Sequence, residues 1–289
     1  MIKNIFRQLK FLFIILTCTL IIACFLFLLS YPTEIANSHS YEKKSIHFLC
    51  VIVPFRDRFE ELLQFVPHLS KFLNRQHINH YIFIINQYDL YRFNRGSLIN
   101  AGFKYSTSNS NCSYIAMHDV DLLPLNDNIS YAYPGNIAFH VASPNLHPRY
   151  HYQTFIGGIL IMNKQIFQFI NGLSNRYWGW GVEDDELYLR LKEKKIKIFR
   201  PENVSTNITN TFWHIHTAKR KRDMQRCYNQ AKVNLKRDRV TGLHNVNYNV
   251  KSVYSLSVNN FTTTLVNIEL HCDRNITPWC TCKNTSSLK

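Results

Sequence analysis

Apolar positions along the chain fall into short runs whose period switches between that of a strand and that of a helix. Residues 47–53 (HFLCVIV) form a β-rich apolar run, and PFRDR follows at once. From 59 to 73 apolar side chains recur at helical spacing. The strand signal returns at 80–85 (HYIFII), a second helix begins at 96–103 (GSLINAGF), and residues 112–117 read as a third strand ending in HDVD. A stretch rich in Pro, aromatics and His, without a clear period, spans 133–151. It leads to a glycine-opened strand at 155–162 and to a helix at 164–171 that Asn163 is placed to cap. The stretch NGLSNRYWGWGVEDDE, residues 171–186, starts another helix that runs to about Lys195, with a strand near 196–199. Phe212, His214 and His216 alternate with Trp213 and Ile215 as in a short strand; residues 219–236 look helical and basic, and 246–270 hold two or three strand-like runs. Alternating strands and helices predict an α/β fold with a mostly parallel central sheet flanked by helices, whose ligands bind beyond the carboxyl ends of the strands.

One apolar run does not belong to that alternation. Residues 11–29 carry nothing more polar than Thr17, Thr19 and two cysteines, and Lys3, Arg7 and Lys10 precede them. At ~1.5 Å rise per residue such a run is about long enough for a ~30 Å hydrocarbon core. A cleaved signal peptide has the same basic start, but its apolar part is usually about 7 to 15 residues and ends in small residues. Here the run ends in Leu28, Leu29, Ser30, Tyr31 and Pro32. The expectation is an uncleaved signal anchor at 11–29, with residues 1–10 cytoplasmic, a short stem at 30–45 and a lumenal domain at 46–289.

Cysteines and sequons fit a secretory compartment. Cys50, Cys112, Cys227, Cys272, Cys280 and Cys282 lie beyond the anchor, and Cys272 pairing with Cys280 or Cys282 is the expectation for the tail, with a zinc knuckle as the weaker alternative. Asn-x-Ser/Thr occurs at Asn111, Asn128, Asn203, Asn207, Asn260, Asn275 and Asn284. The formal net charge is +15, densest at Lys219, Arg220, Lys221 and Arg222. Behind an anchor this argues against nucleic acid and toward anionic nucleotide-sugar phosphates, acidic glycans or the membrane surface.

The chemistry sits at predicted strand ends. HDVD places Asp119 and Asp121 one residue apart after an apolar strand, where they can share or divide a divalent cation and a ligand. His214 and His216 point to one face of a strand, so both can reach the same ion. One carboxylate with two imidazoles suggests a borderline divalent ion, Mn²⁺ with Zn²⁺ as rival. Arg56 and Arg58 carry forked guanidinium groups suited to phosphate. Trp178 and Trp180, spaced by Gly179, put flat rings on a free backbone that suits a sugar. Glu183, Asp184, Asp185 and Glu186 fall in one helical turn, where any of them can serve as a general base or as a simple cap.

PFRDR, FNRGSLINAGF, HDVDLLPLN, FHVASP, YHYQTFIGGIL, NGLSNRYWGWGVEDDE, FRPENV and HIH stand in the order found in the β-1,4-galactosyltransferases, which the chain resembles from about 47 to 280. FHVASPNLHPRYHY and the His pair resemble the branch that adds galactose to xylose in the proteoglycan linkage region; branches acting on N-acetylglucosamine usually offer a Met and a His. The resemblance implies a GT-A fold, UDP-galactose as donor, Mn²⁺ as cofactor, inversion at the anomeric carbon, a xylosylated proteoglycan core protein as acceptor and a Golgi type II membrane enzyme. It places Asp121, His214 and His216 on the metal and Asp119 on the nucleotide. Pro54, Phe55, Arg56, Arg58, Phe93, Arg95, Val120 and Phe155 fall on the donor side. Trp180 covers donor and acceptor, Glu183 holds the sugar, Asp184 acts as base, and Tyr150, Tyr152 and Asp185 face the acceptor. Phe155 stands where the family usually has Tyr. Transfer to N-acetylglucosamine is the nearest rival reading, which an assay with both acceptors separates; a non-catalytic glycan-binding protein, marked by sugar binding without turnover, and a zinc hydrolase are the others.

Overall fold

A computed structural model describes Arg7 and residues 16–22, 47–216, 220–225 and 227–282, and the chain divides into two units at Ile46/His47. In the first unit residues 16–22 are helical. The rest of the expected anchor, and the stem, lie outside the described residues, among which no helix is long and apolar enough to cross a membrane.

The second unit is built on an eight-stranded sheet. Its first strand, β1 (Phe48–Phe55), is buried along nearly its whole length. Alternate side chains feed opposite faces, as the period of a strand demands. Leu49, Val51, Val53 and Phe55 pack on one side with Phe65, Leu69 and Phe72 of helix α1 (Phe59–Arg75). Cys50 and Ile52 pack on the other with Leu98, Ile99 and Phe103 of α2 (Arg95–Asn109). A two-sided apolar strand covered by helices on both faces is the arrangement that parallel pairing requires. Accordingly β2 (Asn79–Gln87) and β3 (Tyr114–His118) flank β1 in parallel.

Beyond this centre the sheet is mixed. The remaining strands are β4 (Leu122–Pro124), β5 (Ala138–His140), β6 (Ile159–Asn163), β7 (Ile198–Phe199), β8 (Phe212–His214), β9 (Tyr248–Val258) and β10 (Phe261–Leu270). β10 joins β2 and β7 joins β5 in parallel, so four of the sheet's seven strand pairs are parallel and three antiparallel. The order is β7-β5-β6-β3-β1-β2-β10-β9, and β6 runs antiparallel to both β3 and β5 while β9 and β10 form an antiparallel hairpin. Asn259 and Asn260 turn that hairpin at positive φ, 48° and 66°, which Asn tolerates. A separate two-stranded ladder pairs β4 with β8.

Two local expectations change. The strand expected over 155–162 begins only at Ile159, because Gly157 and Gly158 precede it outside any ladder. Helix α3 (Lys164–Phe169) is capped by the Asn163 side chain, which accepts from the amide of Ile166, and α4 (Glu183–Glu193) starts on the acidic turn. The helix expected over 219–236 shrinks to α5 (Gln230–Asn234). Its basic residues are drawn into tertiary contacts instead: Arg220 forks onto the buried Glu61 of α1 at 2.7 and 2.8 Å. Disulfides join Cys50 to Cys112, Cys272 to Cys280 and Cys227 to Cys282, so none of the three tail cysteines is left for a zinc knuckle.

Candidate active site

The carboxyl ends of β1 and β3, the β4/β8 ladder and the start of α4 open onto one cleft of about 520 Å³. The ladder makes its metal end. Leu122 of β4 pairs with His214 of β8, and the Ile215 amide donates to the Asp121 carbonyl at 2.8 Å, so both histidines are held against HDVD. His214 Nε2 and His216 Nδ1 each lie 3.5 Å from Asp121 Oδ2, and the imidazoles stack at 5.3 Å. The three ligand atoms lie within 4.8 Å of one another. Burial acts to raise the Asp121 pKa, but hydrogen bonds and charge from His214 and His216 outweigh it and hold the carboxyl below its ordinary value. Desolvation lowers the His216 pKa. A charged carboxylate beside a neutral imidazole is the protonation that a metal needs, and two nitrogens with one oxygen suit a borderline divalent ion such as Mn²⁺ or Zn²⁺.

The donor side follows from β1 and the residues ahead of α2. Arg56 leaves β1 and donates to the Tyr91 carbonyl at 2.7 Å, with its guanidinium 5.5 Å from the Phe93 ring centre. Asn94 caps α2 through the amide of Ser97 at 2.8 Å, which fixes the next residue, Arg95. Arg95 donates twice to Asp119 Oδ1, at 2.9 and 2.7 Å, and lies 4.0 Å from Glu183. Burial acts to lower its pKa, but the charges of Asp119, Glu183 and Asp184 prevail and raise it. Of the residues expected on the donor side, Phe55 alone does not line the cleft: alternation along β1 turns its ring into the core under α1.

The acidic turn forms the opposite end. Val182 stands ahead of α4 at φ 61°, and Glu183 and Asp184 begin the helix facing inward. Desolvation, then the charge of Glu183, pushes Asp184 up to about 7, and burial raises Glu183 as well. Glu183 Oε2 is buried without a hydrogen-bond partner. Gly157 makes room for this turn, since a Cβ there would sit 2.4 Å from Asp184 Oδ2. Asp185 is hydrogen-bonded to Tyr152, so it is tied to the aromatic wall rather than aimed at the reacting centre. Phe155 lies in that wall, its ring centre 5.0 Å from those of Tyr150 and His147 and 5.5 Å from that of Tyr152. The tryptophan pair divides: Trp178 is 2% exposed and packs edge-on to Tyr91, whereas Trp180 is 48% exposed over the cleft.

Sequence reasoning missed three residues. Arg222, read only as part of the basic run at 219–222, lies 5.0 Å from the Trp180 ring centre and 5.7 Å from that of Tyr150. His147 accepts the Arg149 and Tyr150 amides on Nδ1 and lines the cleft beside the metal end. Arg92, one residue ahead of the FNRGSLINAGF motif, lies directly against Gly179 of the Trp180 loop at the edge of the cleft.

The N-terminal region of glycosyl transferase group 7 matches residues 35–134, and the N-terminal domain of galactosyltransferase matches residues 138–216. The chain is 51% identical over 245 residues to β-1,4-galactosyltransferase 7 of Drosophila melanogaster, covering 84% of this chain and 76% of that one. It is 52% identical over 253 residues to the Homo sapiens protein of the same name, covering 86% and 76%. With the xylosylprotein 4-β-galactosyltransferase of Caenorhabditis elegans it shares 50% identity over 240 residues, covering 82% and 83%. A crystal structure of a mutant Drosophila β-1,4-galactosyltransferase 7 in complex with manganese, UDP-Gal and xylobiose superposes with TM-score 0.80 at 51% identity, covering 82% of this chain and all of that one.

Proposed function

The chain belongs to the β-1,4-galactosyltransferase family, and from that premise we propose that it moves galactose from UDP-galactose to O4 of a β-linked xylose on a proteoglycan core protein, with Mn²⁺ as cofactor. The observation that carries the reading is the division of charge in one cleft. A carboxylate held low stands with two imidazoles at one end, and a carboxyl raised to about 7 stands at the other.

Asp121, His214 and His216 hold the metal, which when bound supplies positive charge against the departing diphosphate. Arg95 fixes Asp119 for the nucleotide, while Pro54, Arg56, Arg58, Phe93 and Val120 line the donor side and Phe155 the sugar pocket. The unpartnered oxygen of Glu183 accepts from a sugar hydroxyl, which removes its orphan status. Asp184 takes the O4 proton as the new C1–O4 bond forms and the C1–O bond to UDP breaks on the opposite face, giving inversion. A base whose pKa lies near the working pH is efficient in this role. Tyr150 and Tyr152 supply the acceptor platform, and Trp180 covers both sugars and excludes water.

The amino-terminal apolar run at 11–29 with its basic flank, together with three disulfides, supports a Golgi type II membrane enzyme with residues 46–289 lumenal. Full-length protein in detergent should transfer galactose from UDP-galactose to a synthetic β-xyloside only with Mn²⁺ present, and poorly to an N-acetylglucosaminide. Equal use of both acceptors would reject the xylose assignment.

A further inference from the structure

Three segments that are remote in sequence, at Gly179, 223–230 and Trp279, converge on the guanidinium group of Arg92 at the edge of the cleft. The Arg92 side chain is 9% exposed. Its Nε and Nη2 fork onto Asp223 at 2.6 and 3.0 Å, and Nη2 also donates to the Gln225 carbonyl at 2.8 Å. Nη1 donates to Gln230 Oε1 at 2.8 Å, to the Trp279 carbonyl at 3.3 Å and to Cys227 Sγ at 3.3 Å. Every N–H group of the side chain is therefore engaged by an acceptor within the protein.

The backbone repeats the convergence. Gly179 donates to the Phe93 carbonyl at 2.8 Å and Trp180 to the Asp223 carbonyl at 3.0 Å, while the Arg92 amide donates to the Cys280 carbonyl at 3.0 Å. Gly179 lies directly against the guanidinium: a Cβ there would be 2.0 Å from Arg92 Nη2, at a φ of 88° that also favours glycine. The tail carbonyls that Arg92 reaches are themselves fixed covalently, through Cys272–Cys280 and Cys227–Cys282. On the cleft side of this knot stand the Trp180 and Arg222 side chains, stacked on each other beside Tyr150.

We infer that Arg92 is a positioning residue, holding the Trp180 loop and the 220–225 segment together so that Trp180 and Arg222 form one wall of the acceptor side; this rests on the acceptor reading given above. The geometry calls for arginine in particular. A lysine ammonium is a single point and cannot fork onto Asp223 while also reaching Gln225, Gln230 and Trp279.

The test compares full-length wild type, Arg92→Lys and, as a milder variant that keeps side-chain shape, Asp223→Asn. Arg92→Lys should raise KM for a β-xyloside about tenfold and change KM for UDP-galactose less than about twofold, since displacing a wall of one subsite weakens the ligand in that subsite. Trypsin cleavage after Lys221 or Arg222, followed by mass spectrometry, should accelerate about tenfold in the same variant, because cleavage tracks the open population. Asp223→Asn should move both quantities the same way by a smaller factor. Unchanged cleavage in both variants would overturn the inference, as would a loss of kcat in proportion to the unfolded fraction with both KM values intact. A wild-type protein inactive on the β-xyloside would instead reject the functional reading, while the cleavage rates would still judge the brace.

Discussion

The two ends of the cleft hold carboxylates of opposite character. Asp121 sits in the turn that leads into the β4/β8 ladder, flanked by imidazoles that hold its charge on, whereas Asp184 sits at the start of a helix beside Glu183, where burial and like charge hold its proton on. Environments that push two acids apart in this way separate a metal ligand from a general base without any difference in residue type. The backbones differ in kind as well. The metal end is fixed by strand pairing, and the base end by a left-handed Val182, two glycines that flank Trp180 and a glycine that makes room for Asp184.

The largest break in this comparison should come from Asp184→Asn, which keeps shape and removes the base. Transfer to the β-xyloside should fall by about 10³-fold, within the range of general-base contributions. Stability should move the other way. A carboxyl whose folded pKa is raised binds its proton more tightly folded than unfolded, so its contribution is intact below the ordinary carboxylate range and is lost as pH rises toward about 7. Thermal melting at pH 7.5 should therefore be unchanged or higher in Asp184→Asn, and a lower melting temperature would mark Asp184 as structural. His216→Ala attacks the other end. Activity at fixed Mn²⁺ should fall by about 10²-fold and recover in part as Mn²⁺ is raised, since losing one ligand weakens the metal without touching the base.

Much of this comparison was legible in the sequence because its parts lie in local patterns. β1 is a continuous apolar run that leads into PFRDR, β3 leads into HDVD, and the i, i+2 spacing of HIH puts both imidazoles within reach of Asp121. What was not legible depends on partners far along the chain. Arg92 meets Asp223 across 131 residues and Trp279 across 187, and no local period reports such a knot. Residues 219–236 misread as a helix for the same reason: Arg220 is claimed by Glu61 and Arg222 by Trp180 and Tyr150, so the segment follows its partners and not its propensity. Phe55 misread because a family role was carried to a position whose strand parity points to the core.

The tryptophan pair sharpens the contrast at an intermediate scale. Trp180→Ala should leave melting within a few degrees and raise KM for the β-xyloside by about tenfold, the cost of losing roughly one stacking ring. Trp178→Ala should do the reverse. Its ring is buried against Tyr91, so truncation should cost about 3–5 kcal/mol of stability, read in urea titration, while any folded fraction keeps its KM. Similar KM changes in both variants would mean that the two rings share one role.

The smallest effect tests how the raised pKa is made. A Cβ at Gly157 would crowd Asp184 Oδ2 at 2.4 Å and the Phe155 ring edge at 2.7 and 3.0 Å, so carboxyl and ring border the same point. Phe155 offers that carboxyl an apolar edge, and an apolar neighbour disfavours its charged form. Phe155→Tyr puts a hydroxyl at the end of the ring, where it can donate to the charged carboxylate and favour it. The acid limb of the pH profile for transfer, set by Asp184 near 7, should then move down by less than about one unit, with kcat at pH 8 changed less than about threefold. An upward or absent shift would leave the charge of Glu183 and the general burial of the turn as the sources of the raised pKa, and would place the Phe155 ring edge outside the electrostatics of the base.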